Sequence, residues 1–261
     1  HYPLRRQRQM CIRDRNYGLL NGFRLACIYT AVAAFISAFI VFLFLKETLR
    51  PGLAAKSNLS NPSKLKDIMK FPRPLPTSLK ALMLPCALIA FANGVVGPYY
   101  ILYASSVIGL TVMEWGTIAC LQFLGSTLKI PGGWLSDRFE KRKIVMIVSV
   151  VTCAPCTILF SLSRSFFQAL TAALLLIVTG IYYGPAYEAL QADLTPRMIR
   201  GRIAGLWQLI SRLSTALGTL IGGFLFEAVD HAFPFYMFTA TELIAALFLI
   251  SLVREPEKKE I

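Results

Sequence analysis

Pro131-Gly132-Gly133-Trp134-Leu135-Ser136-Asp137-Arg138-Phe139-Glu140-Lys141-Arg142-Lys143 is the stretch that decides the fold. It is short and charged, and it lies between two apolar runs. Residues 115–130 before it are mostly apolar, and residues 144–162 after it carry no charge at all. Neither run could stand uncovered in water, so the stretch predicts a tight cytoplasmic turn between two membrane helices. Its glycines let helix ends approach closely. Asp137, beside four basic residues, is placed for ion pairing.

Working outward, composition gives the same reading. Of 261 residues 56% are hydrophobic and only 16% are charged, with a mean hydropathy of +0.58. A soluble domain carries about 25% charged residues, so the chain is expected to be a polytopic membrane protein. The formal charge of +13 does not imply a nucleic-acid partner, because the basic residues sit in short loops between apolar runs. Six cysteines, at 11, 27, 86, 120, 153 and 156, fall mostly inside those runs and do not form a secreted disulfide framework. Cys153-Ala154-Pro155-Cys156 has redox spacing but lies mid-span, where packing is expected rather than thiolate chemistry. Asn58-Leu59-Ser60 matches a glycosylation sequon in a loop placed in the cytoplasm, and is discounted.

Seven spans are expected, at 25–45, 81–108, 112–130, 144–162, 166–190, 203–226 and 233–253, each near the 20 residues that cross a bilayer. The first ends at Pro51 and Gly52. A polar, basic linker, 46–80, follows it, with a short helix expected at 63–70. The second span is expected to break at Pro85, at Asn93-Gly94 and at Gly97-Pro98. Such breaks free carbonyls that need protein or water partners, so they often line a cavity. Asn93 is placed on that lining and Tyr103 in the interfacial aromatic belt. The fifth span is followed by a polar turn, 191–202. Glycines at 205, 218, 222 and 223 give the sixth span a small-residue face for close packing.

Counted loop by loop, Lys plus Arg number eight after the first span, then none, four, one, three, none, and three in the tail. By the positive-inside rule, loops 46–80, 136–143 and 191–202 and the C-terminus are cytoplasmic. Residues 1–24 hold six arginines on what would then be the outer side. That misfit predicts that the segment 1–15 is non-native or disordered.

Gly133-x-Leu-Ser-Asp137-Arg138-x-x-Lys-Arg142-Lys143 resembles the Gly-x-Leu-Ala-Asp-Arg-x-Gly-Arg-Lys loop of the major facilitator superfamily, departing from it at Glu140, where that family has glycine. The turn Asp193-Leu-Thr-Pro196-x-x-x-Arg200-Gly201-Arg202 is similar to the family's loop after the fourth helix of each half. Phe44-Leu-Lys-Glu47-Thr48-Leu49 is like the end of its sixth helix. The resemblance implies an all-α helical bundle holding seven of twelve helices. They would be helix six (16–45), the central loop (46–80), a six-helix C-terminal bundle (81–253) and a cytoplasmic tail (254–261). It also implies an N-terminal half of the same transporter as partner, and a conformational latch at Gly133, Asp137, Arg138 and Arg142 that holds one orientation and breaks in the other.

Two charges lie mid-span. Arg212 is ten residues from Arg202 and Glu242 twelve from Arg254, so at 1.5 Å rise both are roughly 15 to 18 Å deep. Each costs about 2.5 to 3.5 kcal/mol to insert. Three arrangements are open: an intramembrane ion pair between Arg212 and Glu242, Arg212 facing the central cavity and an anionic substrate group, or Arg212 snorkelling to the interface, for which its depth is large. The resemblance places the last helix at the periphery, which gives Glu242 a structural role. Asn93, Tyr99, Gln122, Gln208 and Arg212 are the candidate substrate-cavity residues, and Glu188 is a weaker one near the inner surface. His231 is the only histidine besides His1. There is no phosphate-cradling loop and no metal-ligand spacing, so no enzyme, cofactor or metal is expected. The expected function is secondary active transport of a small solute across the cell membrane by alternating access, with a coupling proton or ion. The alternative is a seven-helix receptor, suggested by Asp137-Arg138-Phe139. The last span, however, lacks the Asn-Pro-x-x-Tyr of such receptors.

Overall fold

In the computed structural model of the chain, the residues described are 19–44, 77–129, 133, 142–195 and 200–253. The chain divides into two compact units, His1–Lys70 and Phe71–Ile261. In the first, α1 (Leu19–Phe44) covers the first expected span and shows Phe35, Phe39 and Phe42 on its surface. The expected short helix, the sequon, the segment 1–15 and the linker up to residue 76 lie outside the described residues, whereas 77–80, expected as the end of the linker, form the first turn of the next helix.

The second unit is a bundle. Its helices are α2 (Thr77–Val96), α3 (Tyr99–Tyr103) continuing as a π turn (Ala104–Ile108), α4 (Val112–Ser126), α5 (Arg142–Ser161), α6 (Phe166–Leu194), α7 (Arg200–Ala228) and α8 (Phe233–Leu252). Among the described residues six helical stretches are long and apolar enough to cross a membrane: Cys27–Phe44, Ser78–Ile108, Arg142–Ser161, Phe166–Leu194, Arg200–Ala228 and Phe233–Leu252. The place of the third expected span, 112–130, is held by α4, which gives way to a turn at Thr127 and Leu128. A capping box starts α4. The Thr111 N–H donates to Glu114 Oε2 at 2.7 Å, and the Glu114 N–H donates to Thr111 Oγ1 at 3.3 Å, satisfying two end donors reciprocally.

The second expected span differs from its sequence reading. It runs straight through Pro85, Asn93 and Gly94 and breaks at Gly97-Pro98 alone. Gly94 serves close packing instead. A Cβ there would collide with the carbonyl of Thr215 on α7. On the other side of the same seam, a Cβ at Gly218 or Gly222 would meet the carbonyls of Phe91 and Val95. Close backbone approach through small residues is a main way membrane helices associate. The fifth span also runs on, through Leu194, so the first residues of the expected polar turn 191–202 form the last turn of α6. That extension fixes Asp193 at a helix end rather than in a loop.

Around α2 the bundle closes on two sides: α7 packs along one face and α8 along another, with α5 against α8 and α6 against α5. Buried side chains form two apolar clusters stacked along the helices. One, toward the end carrying residues 142 and 253, contains Leu82, Met146, Val150, Leu190, Trp207 and Leu249. The other, toward the opposite end, contains Val96, Ile118, Phe160, Phe226, Phe235 and Phe238. Tyr103, expected in the interfacial belt, is buried in this second cluster and donates its hydroxyl to the Ser161 carbonyl at 2.5 Å. Between the clusters lies a polar layer.

Candidate functional site

Two places in the bundle concentrate polar chemistry. The first is the basic end. Arg142 opens α5, and its guanidinium pairs with the Asp193 carboxylate in the last turn of α6, both side chains being partly buried. The neighbouring Lys143 turns to α8, donating Nζ to the carbonyls of Ile250 at 2.8 Å and Val253 at 2.6 Å. A cation at unpaired C-terminal carbonyls satisfies them and complements the helix dipole. Arg200, first residue of α7, donates to the Ala192 carbonyl at 3.2 Å. These four contacts tie the start of α5 to the ends of α6 and α8, and the start of α7 to α6.

Of the expected latch, Gly133 and Arg142 are described, whereas Asp137 and Arg138 lie outside the described residues. Gly133 lies beside Pro185 of α6, where a Cβ would stand in ordinary contact at 3.5 Å. The tight approach expected from the turn glycines is therefore found on the α2–α7 seam rather than at Gly133. Asp193 was visible in the sequence only as part of a polar turn. Its pairing depends on α6 continuing four residues past the expected end, which the sequence signal for a turn concealed.

The second place is a cavity of about 130 Å³ between α2, α5, α6 and α8, in the polar layer. Its lining includes Asn93 from α2, Ser149 and Cys153 from α5, Thr179, Gly180 and Tyr183 from α6, and Glu242 from α8. Glu242 is 3% exposed. Asn93 and Gly180 are exposed, so the cavity has its mouth between α2 and α6. Asn93 Nδ2 donates to the Ile89 carbonyl at 2.8 Å, and Ser149 Oγ bridges to the Thr179 carbonyl at 2.7 Å. Cys153 and Cys156 are free thiols on α5, with Cys156 buried.

The structure distributes the other expected cavity residues widely. Gln208 and Arg212 are exposed and four residues apart on α7, on one face of the helix. Gln122 is exposed on α4, and Glu188 on α6. Tyr99 belongs to a helix contact instead of an open lining: its hydroxyl donates to the Thr219 carbonyl at 2.8 Å and its ring stacks on Phe226 with centroids 5.4 Å apart. Arg212 and Glu242 are not brought together. Glu242 points into the bundle, whereas Arg212 stands on an exposed face of α7, so the expected ion pair between them is not formed. Thr215 and Thr219 were missed altogether. Each donates across the seam, to the Ala90 carbonyl at 3.1 Å and the Gly94 carbonyl at 3.2 Å. Their signal was present as Thr-x-x-x-Thr interleaved with Gly-x-x-x-Gly at 215–222.

Long apolar helices, with a charge-paired end, mark a multi-pass membrane helical bundle. The sequence profile of the Major Facilitator Superfamily matches residues 82–261, and the chain belongs to that family. It is 27% identical over 175 residues to the quinolone resistance protein NorA of Staphylococcus aureus, an overlap of 66% of this chain and 44% of that protein. It is 30% identical over 129 residues to multidrug resistance protein 1 of Bacillus subtilis strain 168, covering 49% of this chain and 32% of the relative. The chain spans about half the length of the curated relatives it matches, or less. This family membership does not favour the seven-helix receptor reading.

Proposed function

We propose that the chain forms the C-terminal part of a secondary transporter that exports small, drug-like molecules by alternating access, with its C-terminus in the cytoplasm. The observation that carries the reading is the exposed polar set Asn93, Gln122, Gln208 and Arg212, on the three otherwise largely apolar helices α2, α4 and α7. Polar groups facing lipid are costly, whereas the same groups facing a water-filled path between two halves are not. The lipid-facing surface is of a different kind: on α7 it carries Leu213, Leu217, Leu220 and Phe224.

In this mechanism the partner is an N-terminal half, and the two rock about a site near mid-helix. The Arg142–Asp193 pair holds α5 and α6 together at the cytoplasmic end, and Asp137 and Arg138 complete the latch that breaks as the halves change orientation. Arg212 supplies the positive charge of the cavity wall. The names of the relatives suggest quinolones and chemically diverse drugs as solutes.

The test is accumulation of a fluorescent quinolone in cells expressing the chain within its full reading frame. Lower accumulation than in vector controls, restored to control levels by Arg212→Ala, is the expected result. Unchanged accumulation with membrane-inserted protein would refute export of this solute class.

A further inference from the structure

Glu242 is a carboxyl group inside the bundle with no evident counter-charge. It is 3% exposed, it lines the cavity described above, and among the described residues no Lys or Arg pairs with it. From α2 the cavity presents Ile89 and the Asn93 amide, from α5 Cys153, and from α6 Tyr183. Among the described residues, the titratable groups within electrostatic range of Glu242 are the Cys153 thiol and the Tyr183 hydroxyl, which share its cavity, and the Tyr100 hydroxyl of α3, which lies against Thr157. All three are neutral groups that would add negative charge if they ionised, so none can neutralise a carboxylate. A buried carboxylate without a cation costs several kcal/mol even after relaxation, and a carboxylic acid does not carry that cost.

A purely structural acid would be sealed. Glu242 is not sealed, because its cavity opens between Asn93 and Gly180, both of which are exposed. The space is large enough for several water molecules, and it is lined by groups able to hydrogen-bond them. It also separates the two apolar clusters, so a change of charge here acts at the level where α8 meets α2 and α5.

We propose that Glu242 is a proton-binding site, filled and emptied through the mouth at Asn93 and Gly180, on a helix whose role would otherwise be structural. On release, the carboxyl O–H bond breaks, its electron pair stays on the carboxylate, and the proton leaves on water in the cavity. On uptake the same steps reverse. Linking this proton to solute movement rests on the transporter reading; the proton site itself does not.

The test is infrared spectroscopy of the chain in lipid nanodiscs. The expected result is a protonated-carboxyl C=O band at neutral pH that fades reversibly as pH rises and shifts when water is replaced by heavy water. Glu242→Gln should remove that band, and Asn93→Leu should slow its isotope shift about tenfold while leaving the band present. In the unaltered chain an apolar carbodiimide should label Glu242, read by mass spectrometry, so the assignment does not depend on the variant folding. An ionised Glu242 at neutral pH, or a protonated one that neither titrates nor exchanges, would overturn the proposal. Absence of quinolone export by the full reading frame, with the band and its exchange intact, would count against the transporter reading alone.

Discussion

Helix α2 has two interfaces, and they are built on opposite principles. Against α7 it packs backbone to backbone: Gly94, Gly218 and Gly222 leave no room for a Cβ, and Thr215 and Thr219 donate to carbonyls across the seam, which Tyr99 of α3 extends by donating to the Thr219 carbonyl. Against α5, α6 and α8, at the same level, it leaves a cavity around a carboxyl group. The seam with α7 has one good register because a shift would bring Cβ atoms where only glycine fits against the facing carbonyls. The Thr215 and Thr219 hydroxyls add little to that, since each also reaches the carbonyl four residues back in its own helix. A polar cavity with room for water tolerates several arrangements of its walls. The contrast sets a close-packed contact on the α7 side of α2 against a contact with open space on the side lined by α5, α6 and α8.

The strongest way to break this contrast is to put a methyl group into the seam. Gly218→Ala places a Cβ against the Phe91 carbonyl and close to the Val95 N–H, and backbone cannot swing aside as a flexible side chain can. Overpacking of this kind costs about 1 to 3 kcal/mol, so a clear fall in the detergent-unfolding midpoint is expected. An unchanged midpoint would mean that α7 slides freely on α2.

The basic end sharpens the comparison next. Arg142→Asp should destabilise the junction of α5 and α6, as should Asp193→Arg, and the double swap should recover much of the loss. Both side chains are partly exposed, so the coupling is expected near 1 kcal/mol, read as a double-mutant cycle in unfolding. No recovery in the double swap would show that Arg142 acts through other contacts. Tyr99→Phe should cost a similar or smaller amount, about 1 kcal/mol, because it removes one hydroxyl donor and leaves the Thr219 carbonyl short of a partner.

How much of this was legible beforehand follows from what kind of signal each feature leaves. Apolar runs mark spans almost directly, so the elements from α5 to α8 fall close to their expected places. The ends fared worse: Gln191-Ala192-Asp193 reads as a polar turn, yet helix propensity and the partner Arg142 carry α6 through it. Asn93-Gly94 reads as a break, since a sequence cannot say that a glycine is there because another helix lies against it. Arg212 and Glu242 have matching depths, which suggested a pair. Depth fixes only the position along each helix, and the rotation of α7 and α8 about their axes, set by the packing of Gly218, Gly222, Ala245 and Leu249, turned the two charges apart.

The smallest expected effect is the most discriminating, because it repeats the first substitution in the other region. Gly180 lines the cavity on α6, and a Cβ there would meet nothing within 4 Å. Gly180→Ala should therefore be neutral or stabilising by up to about 1 kcal/mol, since alanine loses less backbone freedom than glycine on entering a helix. The same methyl group that opens the α2–α7 seam would here occupy empty space. Matched unfolding midpoints for Gly218→Ala and Gly180→Ala would erase the distinction between a closed seam and an open cavity, whereas a fall in the first with none in the second is what backbone contact on one side of α2 and free space beside Glu242 on the other require.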